Sequence, residues 1–215
     1  MKKNRTALGV IASICLIVPV LSGCGPKIIT VSLRDNIKFA ERTPKIALPI
    51  GLYVSPEARE YVIKYQLDGP LGKVNEFRHM PIGAALMPNG LRSLSKVFQT
   101  VQPMDSPANA PAYYVELKVD PASSLEMGRW KFSEKSVDLH LVCMVKRGNG
   151  ALIWKKTMNS KAAKSNPQGW LAGVWMPAAI KSSNTKLKAA GEESLYLCLE
   201  ALNAELIKNR AAIFR

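Results

Sequence analysis

Histidine and cysteine are the side chains of this sequence best suited to act as nucleophiles, general bases or metal ligands, and both are scarce. The 215 residues include two histidines, His79 and His140, and four cysteines. Neither histidine stands at a spacing typical of a nucleophilic triad or a metal site, and no glycine-rich phosphate loop accompanies them. The sequence therefore predicts a protein with no catalytic residues, no metal and no enzymatic activity.

One cysteine has a distinctive context at the N-terminus. Three basic residues precede an apolar run from Leu8 to Val20, which is followed by Leu21, Ser22, Gly23 and Cys24. A basic start, a short apolar stretch and small residues at its end are the order of a secretory signal, and the run is too short for a membrane-spanning helix. We therefore expect residues 1–23 to be a signal peptide and the remaining chain to be exported.

Leu21-Ser22-Gly23-Cys24 resembles the lipobox of bacterial lipoproteins. The resemblance implies cleavage before Cys24, a thioether-linked diacylglycerol on its sulfur and an acyl chain such as palmitate on its new amino group. Each buried methylene contributes about 0.8 kcal/mol, so several chains would hold the protein stably on a membrane. The residue after the cysteine is Gly25 and not Asp. In the lipoproteins that the chain resembles, this implies export to the outer membrane, with the domain facing the periplasm. The alternative is an ordinary secreted protein with a cysteine at the cleavage site by chance.

Length and charge constrain the rest of the chain. Hydrophobic residues make up 47% of the sequence, and its length predicts one domain over residues 45–215, joined to Cys24 by a tether over residues 24–44. The net charge is +14, and removal of the three basic residues of the signal leaves 27 basic and 16 acidic residues, or +11. This excess favours an anionic envelope partner, such as phospholipid, lipopolysaccharide, a cell-wall polymer or an acidic protein face. Export argues against nucleic acid, and a solvated basic surface without a ligand is the alternative.

Alternating apolar residues predict the strands of a sheet. Tyr113–Val119 and residues 130–147 alternate, and Gly148-Asn149-Gly150 predicts a hairpin into a third strand over 151–158. An earlier strand is predicted over 45–54, where Pro49 should stand at the strand's start or at a sheet edge. We expect a mostly antiparallel sheet with one wetter face.

Helical spacing predicts three helices. A short one follows Ser55, which is suited to cap it. Apolar residues from Leu91 onward, spaced by three and four, predict a first main helix over 77–101, with a break or a cap at Pro88-Asn89-Gly90. A leucine stripe predicts a closing helix over Glu192–Phe214. Together with the strands, these helices predict an α+β class, an α/β sandwich with helices packed on one face of the sheet.

Cys143 and Cys198 are the two cysteines that remain beyond the signal and the lipobox. Cys143 belongs to the apolar face of a predicted strand, and Cys198 lies among the leucines of the closing helix. If that helix packs on that sheet face, both thiols enter one layer. In the oxidising periplasm they could form a disulfide, and two buried thiols acting as small hydrophobic side chains are the alternative.

An aromatic stretch interrupts the chain before the closing helix. Trp170, Leu171, Trp175 and Met176 lie among glycine and proline and are flanked by lysines at positions 161, 164, 181, 186 and 188. Aromatics ringed by lysines suit contact with anionic lipid or with a protein partner. Tryptophans buried under a long loop are the alternative.

The order of elements has a resemblance of its own. The lipobox, the strand and helix that follow, the hairpin around Gly148 and the closing helix resemble the small YajG-type lipoproteins over most of residues 45–212. More broadly, the chain resembles auxiliary lipoproteins of envelope transport and assembly systems, and it differs by its insertion over 170–180. This resemblance implies a non-enzymatic accessory component with an envelope protein as partner. The rival hypothesis is a module that binds an anionic envelope ligand in a basic groove.

Overall fold

The computed structural model describes residues 26–69, 72–127, 134–164 and 176–215. Within these ranges strands and helices follow one another along the chain. In order they are β1 (Lys27–Thr30), β2 (Ile46–Val54), α1 (Pro56–Arg59), β3 (Ile63–Gly69), β4 (Gly72–Met80), α2 (Ile82–Leu94), β5 (Phe98–Met104), β6 (Tyr113–Val119), β7 (Ser124–Met127), β8 (Lys135–Arg147), β9 (Leu152–Lys164), α3 (Met176–Lys208) and α4 (Arg210–Ile213).

The larger sheet is built around the long strand β8. Strands β6 and β7 pair with one edge of β8 and β9 pairs with the other, all antiparallel, while β2 adds to β6 and β5 to β2 in parallel. Alternation in β8 buries one complete row, as predicted, because successive side chains of a strand point to opposite faces. That row consists of Val137, Leu139, Leu141, Cys143 and Val145.

A smaller sheet stands beside the larger one. In it, β4 pairs with β1 in parallel and with β3 antiparallel. The two sheets meet where the hydroxyl of Tyr65 on β3 donates a hydrogen bond of 3.0 Å to the carbonyl of Met127 on β7. This contact places the smaller sheet at the end of β8 that begins with Lys135, since Met127 pairs with Lys135.

Both main helices cover the same face of the larger sheet. Helix α3 packs on β8 and β9 through the predicted leucine stripe, and α2 packs on β2, β5 and β6. Gly90 lets α2 approach the sheet closely, because a Cβ atom there would lie 2.8 Å from a methyl group of Leu52. The observed architecture confirms the predicted α+β class with helices on one face.

The predicted helix over 77–101 is wrong at both ends. Residues up to Met80 belong to β4, where Arg78 and Met80 share the buried face, and Phe98 begins β5. The break predicted at Pro88 is also wrong, since α2 runs through it. Proline removes the hydrogen bond to the carbonyl of Ala84. Ala84 is exposed, so water can take the place of that bond.

The segment for which the sequence predicts a tether is packed on the domain over much of its length. Val31, Leu33 and Phe39 are buried in the core. The buried side chain of Asn89 on α2 holds the segment by accepting a hydrogen bond of 3.0 Å from the N–H of Ile37 and donating one of 2.9 Å to the carbonyl of Arg34. The chain therefore enters the fold soon after Cys24 rather than near residue 45.

Contacts along α3 continue this packing. The N–H of Arg34 donates to Glu192, the ring of Phe39 stacks on Tyr196 at 5.5 Å between centroids, and the Arg42 guanidinium lies 2.6 Å from a carboxylate oxygen of Glu200. The three helix residues are spaced by four, so they lie on one face of the helix. The segment thus runs along α3 in the same direction as the helix.

Candidate functional site

The lipobox residues Leu21, Ser22, Gly23 and Cys24 lie outside the described residues. The structure does show where the chain continues, because β1 begins at Lys27, three residues after Cys24. Strand β1 is an outer strand of the smaller sheet, and Lys27 and Ile28 are both exposed. The described part of the chain therefore begins at an exposed outer strand.

Three basic side chains meet where the two sheets join α3. Lys135 begins β8, Arg78 lies in β4 and Lys186 lies in α3. Lys135 and Arg78 are each only 3% exposed, although basic residues are almost never buried to this extent without compensating contacts. We call Arg78, Lys135 and Lys186 the basic junction.

The electrostatics of the basic junction favour negative charge. Arg78 Nη1 donates to a carboxylate oxygen of Glu76 at 2.5 Å, and Arg78 Nε donates to Asn184 Oδ1 at 3.1 Å. Burial lowers the pKa of Lys135, and the positive charges of Lys186 and Arg78 lower it further. The surroundings therefore oppose the positive charge on Lys135, and Glu76 supplies negative charge beside Arg78.

Sequence reasoning identified Lys186 as one of the lysines near the aromatic stretch but missed the other two residues of the junction. The signal that could have found Arg78 is its alternation with Met80, which places a basic side chain on the buried face of β4. Lys135 offers a similar signal, since it is in phase with the buried row of β8. What brings the three together is the meeting of distant strands with a helix, which no local pattern shows.

The opposite face of the larger sheet carries opposed charges. Glu116 on β6 accepts hydrogen bonds from Lys146 Nζ at 2.6 Å and from Lys118 Nζ at 2.9 Å. Burial acts to raise the pKa of Glu116, but the hydrogen bonds and charges of the two lysines outweigh it, and the pKa is lowered. On the same face, His140 Nε2 lies 3.1 Å from Asp138 Oδ1. The charges of Glu116, Lys118 and Lys146 are thus paired with one another on this face.

Cys143 and Cys198 occupy one layer between β8 and α3, and both are free thiols in the structure. Cys198 Sγ lies 3.3 Å from the carbonyl of Met158 and 3.3 Å from Ser160 Oγ. Burial raises the pKa of Cys198 to about 11 and that of Cys143 well above its ordinary value. As buried thiols both are poor nucleophiles because the thiolate is the reactive form. The disulfide between them stays a hypothesis.

Only one residue of the predicted contact surface around the tryptophans belongs to the described part of the chain. Trp170, Leu171 and Trp175 lie outside the described residues, and Met176 is the first residue of α3. The role proposed for these four residues stays a prediction. On either side of the stretch, Lys164 pairs with Glu193 at 2.5 Å and Lys186 belongs to the basic junction.

Within the described ranges, two further kinds of site are absent, a membrane-spanning helix and a metal-binding cluster. No helix in them combines the length and the apolar character needed to cross a bilayer. The same part of the chain holds no group of three histidine, cysteine or carboxylate side chains placed to bind a metal ion.

Comparison with known proteins finds similarity at the level of structure. No protein-family model and no curated protein sequence matches the chain. A Xanthomonas campestris protein of the DUF330 family has the same fold, with a TM-score of 0.53 and 11% identity over 85% of this chain and 97% of that one. A minor lipoprotein from Acinetobacter baumannii aligns with a TM-score of 0.41 and 13% identity over 78% of this chain and 96% of that one. An uncharacterised lipoprotein B from Nitrosomonas europaea aligns with a TM-score of 0.32 and 10% identity over 80% and 97%, respectively.

Proposed function

We propose that the protein is a lipoprotein anchored to the outer membrane through Cys24, which serves without catalysis as an accessory or assembly component of an envelope system. The observation that carries the proposal is the Leu21–Cys24 signature after a basic and apolar N-terminus. The structure supports it through β1, an exposed strand that begins three residues after Cys24. The fold shared with a DUF330 protein is compatible with an auxiliary lipoprotein of the YajG-type kind.

The anchor would supply most of the functional advantage. A protein held on a membrane by its acyl chains meets other membrane-bound proteins at a much higher effective concentration than a freely diffusing one. A weak contact between the domain and an envelope protein would therefore be sufficient for assembly. The palmitate and diacylglycerol on Cys24 are covalent attachments, and this role requires no dissociable cofactor.

Crosslinking in intact envelopes tests this function. The wild-type protein is compared with a Cys24→Ala variant that is exported at the same level, and crosslinked partners are identified after affinity purification. We expect envelope proteins to be recovered with the wild type and to be lost with the variant. Recovery of the same partners with both proteins would show that the anchor does not create the association.

A second candidate function is supported by the basic junction. Its member on α3, Lys186, would attract a phosphate or carboxylate of an anionic envelope ligand, such as phospholipid, lipopolysaccharide or a cell-wall polymer. Lys186 is half-buried, and its replacement leaves the contact between Arg78 and Glu76 intact, so a Lys186→Gln variant should fold.

Binding to vesicles and to lipopolysaccharide tests this second function. Lys186→Gln is compared with Lys155→Gln, which removes an exposed lysine on β9 away from the junction. If the junction holds the ligand, the affinity falls several-fold for Lys186→Gln only, and wild-type binding weakens with rising salt. An equal loss in both variants would indicate attraction by the overall basic charge and not by a site.

A further inference from the structure

We propose that the end of the β3–β4 hairpin at the paired residues Gly69 and Gly72, together with the start of β1, rests in the headgroup layer of the membrane to which Cys24 is attached. This inference depends on the proposed lipidation and adds to it the surface by which the domain meets the lipid. We call Lys27, Ile28 and Val74 the anchor-end surface. The occupant of this surface is the bilayer itself.

The first argument is the shortness of the connection. Lys27, the first residue of β1, follows Cys24 by three residues. Three extended residues span at most about 10 Å. From β1 onward the chain is held in the fold, first by pairing with β4 and then by the packing of Val31, Leu33 and Phe39. The domain therefore cannot stand away from the lipid by more than the length of this short connection.

The second argument is the register of the smaller sheet. Strand β1 runs parallel to β4, and Lys27 lies opposite Glu76. Strand β4 begins at Gly72, four residues before Glu76. At roughly 3.3 Å per residue, the hairpin therefore extends about 13 Å past the start of β1. This extension lies on the side of Lys27 from which the chain comes from Cys24, because β1 and β4 run in the same direction. The hairpin end thus projects at least as far as Cys24 can reach from Lys27.

These two lengths put the hairpin end at the depth of the headgroups. A whole bilayer is thicker than its hydrocarbon core, and half of that difference in thickness gives a headgroup region of about 5–7 Å on each side. The acyl chains on Cys24 enter the hydrocarbon, so the residue itself sits at the inner boundary of that region. With β1 directed toward the membrane, the end of β4 reaches the same region.

The third argument is the chemistry exposed at this end. Ile28 is 54% exposed and Val74 is 38% exposed, and they are two of the four large hydrophobic side chains that the described residues leave strongly exposed. Both lie in the half of the smaller sheet nearest Cys24. Lys27 beside them has a 59% exposed side chain, 3.8 Å from Glu76. The register places Val74 on the same sheet face as Lys27 and Ile28 on the other face, so each face of this end exposes an apolar side chain. Exposed apolar side chains with a basic one at the same end fit the boundary between acyl chains and phosphates.

Site-specific quenching in vesicles tests the proposal on the lipidated full-length protein. Val74 is replaced with Cys and labelled with an environment-sensitive fluorophore, while the buried Cys143 and Cys198 remain unlabelled. The protein is reconstituted into phosphatidylethanolamine and phosphatidylglycerol vesicles that contain a lipid with a quencher near its headgroup. The control is Leu152→Cys, which is 55% exposed and begins β9 at the end of the strand remote from the smaller sheet.

We expect quenching at position 74 to be several-fold stronger than at position 152. Equal quenching at the two positions, or stronger quenching at 152, would overturn the proposed orientation. Flotation of the labelled protein with the vesicles separates this outcome from a failure of the anchor. Protein that floats without preferential quenching at 74 contradicts this inference alone, whereas protein that does not float contradicts the lipidation and the inference with it.

Discussion

Replacement of Ser194 with alanine should destabilise the fold more than any exposed serine replacement. Ser194 lies on α3 with no exposed surface. Its hydroxyl donates a hydrogen bond of 2.7 Å to the carbonyl of Val137 on β8 and accepts one of 3.1 Å from the N–H of Ala162 on β9. Val137 and Ala162 face each other across the two strands, so the helix hydroxyl bridges the backbones of both strands.

The expected magnitude follows from these two bonds. Each buried backbone group that loses its partner costs about 1–3 kcal/mol. Some of this cost is recovered if the two strands move together and pair directly, so we expect Ser194→Ala to lower the free energy of unfolding by about 2–4 kcal/mol. For a domain of this size such a loss lowers Tm by roughly 5–15 °C.

Equilibrium urea denaturation measures the effect, with Ser95→Ala as the matched control. The Ser95 hydroxyl is exposed and donates only to the carbonyl of Arg92, at 2.8 Å, so its loss should cost less than about 0.5 kcal/mol. The midpoint should fall for Ser194→Ala with an unchanged slope. If the two variants lose the same stability, the hydroxyl of Ser194 does not bridge the strands and the reasoning is refuted.

Three further predictions concern the ion-paired face, the N-terminal segment and the thiols. The pKa of Glu116 is lowered in the folded protein, so its interactions with the two lysines stabilise the fold fully at pH values above the unfolded pKa of about 4.3. This stabilisation is lost as the pH falls through the folded pKa. The difference in urea midpoint between wild type and Glu116→Gln should therefore shrink as the pH is lowered from 7 to 3. A difference that stays constant with pH would contradict the stabilising role of these ion pairs. Phe39→Ala should lower the free energy of unfolding by about 3 kcal/mol, because a buried aromatic ring is removed, whereas a residue of a free tether would show no loss. Cys143 and Cys198 should resist a thiol reagent at pH 8 in the folded protein and react after unfolding, and Tm should not change with reductant. A fall in Tm on reduction would show that they form a disulfide.

Patterns confined to a single element predicted the structure well. The hairpin around Gly148-Asn149-Gly150 and the buried row of β8 follow from turn chemistry and strict alternation. The leucine stripe of α3 follows from the helical period. These features depend on neighbours in the sequence, and a local pattern therefore contains enough information to place them.

Features that depend on distant partners were missed. Phe98 and Val101 continue the helical spacing of α2, yet they form β5 because β2 offers a parallel partner for them. The segment after β1 has the composition of a tether, but Asn89 and the face of α3 hold it in place. The basic junction likewise exists only because two sheets and a helix meet.

Mass spectrometry of the N-terminal peptide from envelope-derived protein tests the central claim most directly. The account predicts that the first residue is Cys24 and that its mass is increased by a diacylglyceryl group and a fatty acyl chain. A peptide that begins with an unmodified Cys24, or one that still contains the residues before it, would contradict the account.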